Sequence, residues 1–196
     1  VEMYLNGAVD VASVVTNLGS AGVNKVAPFI EGAYAGNRSY DDLYVLNTAA
    51  SPNNNFLGDV RVETIVPSAA GNSTVWTPNT GTNWAAVKEL PVPDGDTTYV
   101  SSGTPGDIDT YTYGDMTIAS GTVFGVQTNL YARKDDAGVR QIAPVTRQSG
   151  TDYVGATVTL TTSYLFYSEI FNQDPTAADW TISTVNADEF GVKEIA

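Results

Sequence analysis

YDDLYVLNTAASPNNNFLGDVRV, residues 40–62, is typical of two β-strands joined by a loop. The first strand includes Asp42 to Val45, and Pro52 followed by three asparagines favours a turn. After the turn, Leu57 to Val66 alternates apolar with charged or polar residues. That alternation predicts a half-buried strand with a charged outer face. The stretch therefore favours a β fold.

Composition points to the same fold class along the whole chain. The 196 residues are 42% hydrophobic, which is enough for one domain with a real core or for two small ones. Thr, Val, Tyr, Gly and Asn are plentiful, whereas long stretches of Ala, Leu, Glu and Lys are missing. We therefore expect an all-β protein.

The charge balance limits the kinds of partner. Lys and Arg number 9 against 22 Asp and Glu, which gives a formal net charge of -13. Such a surface repels phosphate backbones, so we expect no nucleic-acid partner. No apolar run approaches the roughly 20 residues that span a bilayer, so we expect no membrane partner either.

Local signals place further elements. Asn6-Gly7, between Met3 to Leu5 and the alternating valines that follow, predicts a tight hairpin. Lys25 to Glu31 supplies another strand, and Phe124 to Ala132 alternates as a strand. Asp135 to Gly138 then predicts a turn, with Gly138 in a left-handed bulge position.

Three further segments carry less regular signals. Trp84, Val87 and Leu90 recur at helical spacing before Pro91, which predicts a short helix. Alternation predicts that Ala156, Val158, Leu160 and Thr162 form a core-facing stripe. The alternating pattern predicts that Trp180 lies in the core and that Trp180 and Ile182 start a last strand. Asn186 would then cap a helical turn over Ala187 to Phe190, which Gly191 would end.

The residues that most enzymes use are scarce. The sequence contains no His and no Cys, which removes the commonest general base and metal ligand and any thiolate nucleophile. Three adjacent acidic pairs remain: Asp41-Asp42, Asp135-Asp136 and Asp188-Glu189. Neighbours on a strand point to opposite faces, so we interpret these pairs as turns and solvated faces. We expect no enzymatic activity.

Two acidic clusters leave a choice between a metal site and turns. Asp94 and Asp96, and likewise Asp107 and Asp109, lie in polar stretches that offer several oxygens to one Ca²⁺ ion. Neither cluster extends into a twelve-residue EF-hand pattern. We therefore expect no cofactor and favour turn residues, with Asp96 and Asp109 bonding backbone amides of their own turns. Calcium binding by these four carboxylates is the alternative.

Four segments carry a resemblance to a known family. They are the opening stretch, DGDTTYV (94–100), YARKDDAGVR (131–140) and WTISTVNADEFGVK (180–193). Together they resemble structural proteins of tailed bacteriophages that contain a concanavalin A-like (laminin G-like) jelly roll, a β-sandwich. The resemblance implies that residues 1–47 are late strands of that jelly roll and residues 48–196 a second β-rich region. Because residues 1–47 supply only about four strands, we expect the jelly roll to be incomplete at its N-terminus.

The resemblance also implies a function. It suggests a non-enzymatic virion protein, assembled in the host cytoplasm, that decorates or stabilises the capsid or tail surface. Its expected partners are further copies of the chain and other virion proteins, with the N-terminal strands completed by structure outside residues 1–196.

A carbohydrate-binding adhesin that recognises host surface glycans is the alternative function. Aromatic side chains offer stacking faces to sugars, and the candidate rings are Trp76, Trp84, Tyr111 and Tyr113, with Tyr99 and Trp180 as further members. Tyr and Trp also fill β-sandwich cores and subunit interfaces. We favour that second interpretation, above all for Trp180.

Overall fold

The structure, a computed structural model, describes residues 3–5, 8–11, 51–55 and 57–196. Antiparallel strands dominate these residues, which confirms the predicted all-β class. The strands are β1 (Met3–Leu5), β2 (Ala8–Val11), β3 (Pro67–Thr74), β4 (Thr77–Pro78), β5 (Val100–Ser101), β6 (Ile108–Tyr113), β7 (Val126–Ala132), β8 (Gln141–Gln148), β9 (Thr151–Val154), β10 (Val158–Thr159), β11 (Leu165–Phe171) and β12 (Glu189–Glu194). A 3₁₀ helix (Trp84–Val87) and a short helix α1 (Ile182–Ala187) accompany them. In the part of the chain described, no helix is long and apolar enough to cross a membrane.

Contacts divide the chain into two compact units, residues 1–62 and residues 63–196. In the first unit β1 and β2 pair antiparallel, with Leu5 opposite Ala8. This pairing leaves only Asn6 and Gly7 between the paired positions, so the predicted hairpin is confirmed. The strands predicted at 25–31 and 42–47, and the pair Asp41-Asp42, lie outside the described residues.

The second unit is built on a six-stranded antiparallel sheet. Its order is β10-β8-β12-β6-β3, and β9 also pairs with β8. Pro144 stands inside β8, where a residue without an N–H would normally interrupt the ladder. The Pro144 carbonyl accepts a bond from Gly155 N at 2.8 Å, at the point where the outer partner of β8 changes from β10 to β9. Proline is tolerated there because the ladder on that side is already broken.

A two-stranded ribbon of β7 and β11 covers one face of this sheet. The two strands pair in register over all seven residues of each. Leu130, Ala132 and Tyr167 pack against a cluster of Ile142, Leu160 and Val192. Val126 and Phe171 pack against a second cluster of Trp180, Val185 and Phe190. The ribbon is thus a second layer whose inner face closes the core.

The strand predicted from Leu57 to Val66 is wrong. Residues 57–66 form no strand, and β3 begins at Pro67. The alternation misled because Val62 is 56% exposed, whereas the other parity supplies Ile65 to the second core cluster and Glu63 as acceptor for Thr117 N at 2.6 Å. In this segment the alternation therefore predicted neither the buried set of side chains nor a backbone partner.

At the C-terminus the predicted order of strand and helix is reversed. Thr181 Oγ1 accepts a bond from Thr184 N at 3.0 Å, and Thr184 Oγ1 accepts one from Thr181 N at 2.9 Å. This capping box starts α1 at Ile182, so the strand follows the helix as β12. The core position of Trp180 is confirmed, because the residue is only 2% exposed.

Of the remaining local predictions, two are confirmed and two are wrong. The helix at 84–87 and the strand ending at Ala132 are confirmed. Gly138 is not in the left-handed region, and its N–H instead donates to Asp136 Oδ1 at 3.1 Å. Of the predicted stripe at 156–162, only Leu160 is buried, because the strand there is reduced to β10.

Candidate functional site

The outer face of the β7–β11 ribbon is the most distinctive surface of the second unit. Three rungs of directly opposed residues face away from the core: Phe166 with Tyr131, Ser168 with Asn129, and Ile170 with Gln127. Phe166 is 61% exposed and Ile170 62% exposed. Large exposed apolar side chains that alternate with polar ones on one face indicate a contact surface.

Aromatic rings form a row at one end of this face. Tyr131 stacks on Tyr164 with ring centroids 4.9 Å apart and planes 11° apart. Phe166 lies against Tyr131 at 4.7 Å, and the Arg133 guanidinium lies 5.2 Å from the Tyr164 ring centre. Such ring pairs and cation–π contacts each add a fraction of a kcal/mol to about 1.5 kcal/mol beyond the area they bury. The row ends in the exposed ring of Phe166.

Asp96 fixes the other end of the row. Its Oδ1 accepts bonds from Arg133 Nε at 3.2 Å, Arg133 Nη2 at 2.9 Å and the Tyr164 hydroxyl at 2.9 Å. The bonds from Arg133 and Tyr164 hold the pKa of Asp96 below its usual value. The expectation that Asp96 bonds an amide of its own turn is wrong, because its carboxylate reaches across to the ribbon.

The middle rung of the outer face, Asn129 with Ser168, is part of a short polar chain that continues to Gln127. Asn129 Oδ1 accepts bonds from Ser168 Oγ at 2.6 Å and from Gln127 Nε2 at 2.7 Å. All three side chains lie on exposed residues. Amide and hydroxyl groups are thus held in place between Phe166 and Ile170.

Asp109 has a structural role inside the sheet. It is fully buried in β6, where Oδ1 accepts from Trp76 N at 2.9 Å, and Oδ2 accepts from Asn83 Nδ2 at 2.6 Å and the Tyr111 hydroxyl at 2.9 Å. Burial, reinforced by the charge of Asp109, raises the pKa of the Tyr111 hydroxyl. Asp109 therefore ties the segment before the 3₁₀ helix to the sheet, and the prediction that it bonds an amide of its own turn is wrong.

The other two calcium candidates are separately engaged. Asp94 Oδ1 accepts from Thr98 N at 3.0 Å, as a turn residue does. Asp107 Oδ2 accepts from Ser102 Oγ at 2.7 Å. Among the described residues, no three acidic side chains come together in a group that could hold a metal ion.

The four aromatic candidates for glycan binding are all at least partly buried, and they differ in how far they pack into the core. Tyr111 is 4% exposed, so its ring offers no face to a sugar. Trp76 packs against the first core cluster and donates Nε1–H to Asp107 O at 3.2 Å. Tyr113 lies edge-on to Phe190 at 5.6 Å. Trp84 is half-buried, and Lys88 Nζ lies 4.7 Å from its ring centre.

A polar cleft of about 590 Å³ beside α1 contains two buried carboxylates. Gln148 Nε2 donates to Asp174 Oδ2 at 3.2 Å and to Asp188 Oδ2 at 3.0 Å. Burial, reinforced by the charge of Asp174, raises the pKa of Asp188 to about 6. Although burial disfavours its charge, bonds from Thr176 and Ala178 hold the pKa of Asp174 below its usual value.

This cleft corrects one sequence interpretation. Asp188 was expected on a solvated face, but it is 5% exposed. Glu189 is also half-buried, and its Oε2 accepts from Thr110 Oγ1 at 2.6 Å. Both carboxylates lie at the junction of α1 and β12 and point inward. The sequence prediction, which placed the strand before the helix, did not reveal this.

Sequence reasoning missed the aromatic row although a signal for it was present. Once residues 124–132 are taken as a strand with alternate apolar side chains inward, Tyr131 falls on the outward parity. A large aromatic residue on a polar face is that signal. The pairing of Tyr131 with Phe166 needed the register, which the sequence does not contain.

Comparisons of the chain with protein-family models, curated proteins and solved structures give no match.

Proposed function

We propose that this chain is a non-enzymatic structural protein of a tailed-bacteriophage virion, which decorates or stabilises the capsid or tail surface. Residues 1–47 belong, in this proposal, to a concanavalin A-like jelly roll, and residues 48–196 to a second β-rich region. The framework segments that resemble such virion proteins and the antiparallel β architecture support it. Further copies of the chain and other virion proteins are its partners.

An exposed apolar segment is the observation that carries this proposal. Leu90, Pro91, Val92 and Pro93, here called the proline segment, follow the 3₁₀ helix. Leu90 is 57% exposed and Val92 72% exposed. Exposed apolar side chains clustered in this way mark a site of contact with another macromolecule.

The physical character of the proline segment suits assembly. The ring of each proline fixes its φ angle, so the segment loses little conformational entropy when it docks. The segment carries no charge in a chain of net charge -13, so it can approach another copy with less repulsion than most of the surface. Four residues bury far less than the roughly 800 Å² per partner of a stable complex, so many copies must act together, as in a lattice.

The roles of the buried carboxylates support a structural protein over an enzyme. Asp109 joins β6 to the segment before the 3₁₀ helix, and Asp174 accepts backbone bonds from Thr176 N at 2.8 Å and Ala178 N at 3.0 Å. The Asp109 bonds thus hold a loop against the sheet, and the Asp174 bonds fix the backbone of its own loop.

Attachment of purified protein to phage particles that lack it tests the proposal. The double variant Leu90→Asp, Val92→Asp should lose co-sedimentation with the particles at least tenfold, because two charges would be buried at the contact. Val139→Asp is the matched control, since Val139 is 68% exposed in a different loop. It should attach like the wild type. Failure of the wild-type chain to attach to any such particle would overturn the proposal.

A further inference from the structure

The three rungs of the ribbon's outer face combine exposed apolar side chains with hydrogen-bonded polar ones. Apolar side chains stand at both ends, Phe166 at one and Ile170 at the other, and both are more than half exposed. The Asn129–Ser168 rung lies between them, and Gln127, which is opposite Ile170, bonds to Asn129. From this arrangement we propose that the outer face of the ribbon is a binding site for a neutral oligosaccharide.

The spacing of the rungs fits this ligand. Phe166 and Ile170 are four residues apart on one strand, which separates them by roughly 14 Å at about 3.4 Å per residue. A sugar ring placed on the polar middle rung lies between two apolar side chains. Its C–H face meets the negatively polarised face of an aromatic ring, while its hydroxyls meet amide and hydroxyl groups.

The polar rung is chemically suited to hydroxyl recognition. Each sugar hydroxyl is both donor and acceptor, and Asn129 and Gln127 side chains each carry donors and an acceptor. Asn129 is already oriented, because its Oδ1 accepts two bonds. Groups held in place before binding lose less entropy when the ligand arrives.

The size of the face favours a small ligand over a protein. Seven residues per strand give a length of roughly 24 Å, and two strands give a width of about 10 Å. The product, about 240 Å², is well below the roughly 800 Å² that each partner of a stable protein complex buries. A second copy of the chain seated on this face alone would be held weakly.

Charge narrows the ligand class further. The three rungs contain no ionisable acid or base except the phenol of Tyr131, in a chain of net charge -13. The nearest charged groups that contact the aromatic row, Arg133 and Asp96, are paired at 2.9 Å. An acidic glycan would meet repulsion from the chain as a whole without a free cation in the site, so the ligand is neutral.

This inference is independent of the virion proposal, because the proline segment and the ribbon face are different surfaces. It also places glycan binding on residues other than Trp76, Trp84, Tyr111 and Tyr113. The aromatic member that contacts the sugar is Phe166, flanked on the same face by Tyr131, whose ring centre lies 4.7 Å away.

The test uses the purified chain on an array of neutral bacterial O-antigen and capsular oligosaccharides, with cellotetraose and maltotetraose as soluble probes in saturation-transfer NMR. At least one neutral glycan should bind. Phe166→Ala and Asn129→Ala should each weaken that binding tenfold or more, with unchanged far-ultraviolet circular dichroism. Val139→Ala is the matched control, since Val139 is an apolar residue, 68% exposed, outside the ribbon, and this variant should bind like the wild type.

Three results would overturn the inference. The first is a folded wild-type chain that binds no glycan on the array. The second is a bound glycan whose affinity is unchanged in Phe166→Ala and Asn129→Ala. The third is a wild-type dimer in sedimentation that Phe166→Ala abolishes, which would assign the face to a second copy of the chain.

Discussion

Replacement of Asp188 by Asn should stabilise the protein at neutral pH. Asp188 is 5% exposed and lies with Asp174 around the amide of Gln148. An Asn side chain keeps the shape of Asp and an oxygen that can accept the bond from Gln148, but it carries no charge. The buried site therefore gains a neutral group where the wild type holds a costly anion.

The magnitude follows from the pKa. Folding raises the pKa of Asp188 from an ordinary 3.8 to about 6, so the folded state binds the proton more tightly than the unfolded state between those pH values. The contribution of protonated Asp188 to the free energy of unfolding is therefore fully present below about pH 4, and it is lost as the pH rises through about 6. The full shift corresponds to about 3 kcal/mol, and we expect about 1 to 2 kcal/mol because the cleft is open to water.

Urea unfolding of wild type and Asp188→Asn from pH 3.5 to pH 8, followed by tryptophan fluorescence, measures this difference. Trp180 is a suitable reporter because it packs with Val185 of α1. The two proteins should match near pH 3.5 and diverge by about 1 to 2 kcal/mol above pH 6, with the variant more stable. Asp115→Asn, at an exposed aspartate, is the control and should show no such divergence.

A variant that is less stable than the wild type at pH 7.5, or an effect of equal size at every pH, would refute this reasoning. The first result would mean that the carboxylate of Asp188 is favourably bound when charged. The second would mean that the substitution acts through packing and that titration of Asp188 is not coupled to folding.

Three other outcomes are expected. Gly191→Ala should lower the free energy of unfolding in urea by about 3 kcal/mol or more, because a Cβ there overlaps the backbone of Asp109 on the adjacent strand. The control Gly103→Ala, with nothing within 4 Å of its Cβ, should be nearly neutral. Thr181→Ala should cost about 1 kcal/mol by the same assay through loss of the α1 cap, and a cost near zero would contradict the capping box. Addition of EDTA should change the melting temperature by no more than about 1 °C, because only a bound metal would stabilise the native state by mass action. A drop of many degrees would instead support calcium binding by Asp94, Asp96, Asp107 or Asp109.

The strand content and several local elements were predictable because they depend on short-range chemistry. Asn6-Gly7 suits the φ angles of a tight hairpin, and the β7 alternation reflects one buried face. The segment TIST also contained the capping box at Thr181 and Thr184. Asn186 offers a competing cap four residues farther along than the helix start at Ile182, and a helix begun there exchanges the order of helix and strand.

Features that depend on register and burial were not predictable from spacing. Asp109 looks like a loop residue in the sequence, but it lies in a buried strand because residues far away in sequence supply its hydrogen bonds. Phe166 and Tyr131 are 35 positions apart and become neighbours only through the pairing of β11 with β7. Polar burial and cross-strand pairs are set by the tertiary fold, which overrides local preference.

Electron cryomicroscopy of intact phage particles whose genome encodes this chain tests the virion proposal most directly. The proposal predicts density, repeated by the symmetry of the capsid or tail, that fits the six-stranded sheet with its covering β7–β11 ribbon, and contact of Leu90 and Val92 with a neighbouring protein. Particles whose fully resolved protein density has no place for this fold, from cells in which the chain is abundant, would contradict it.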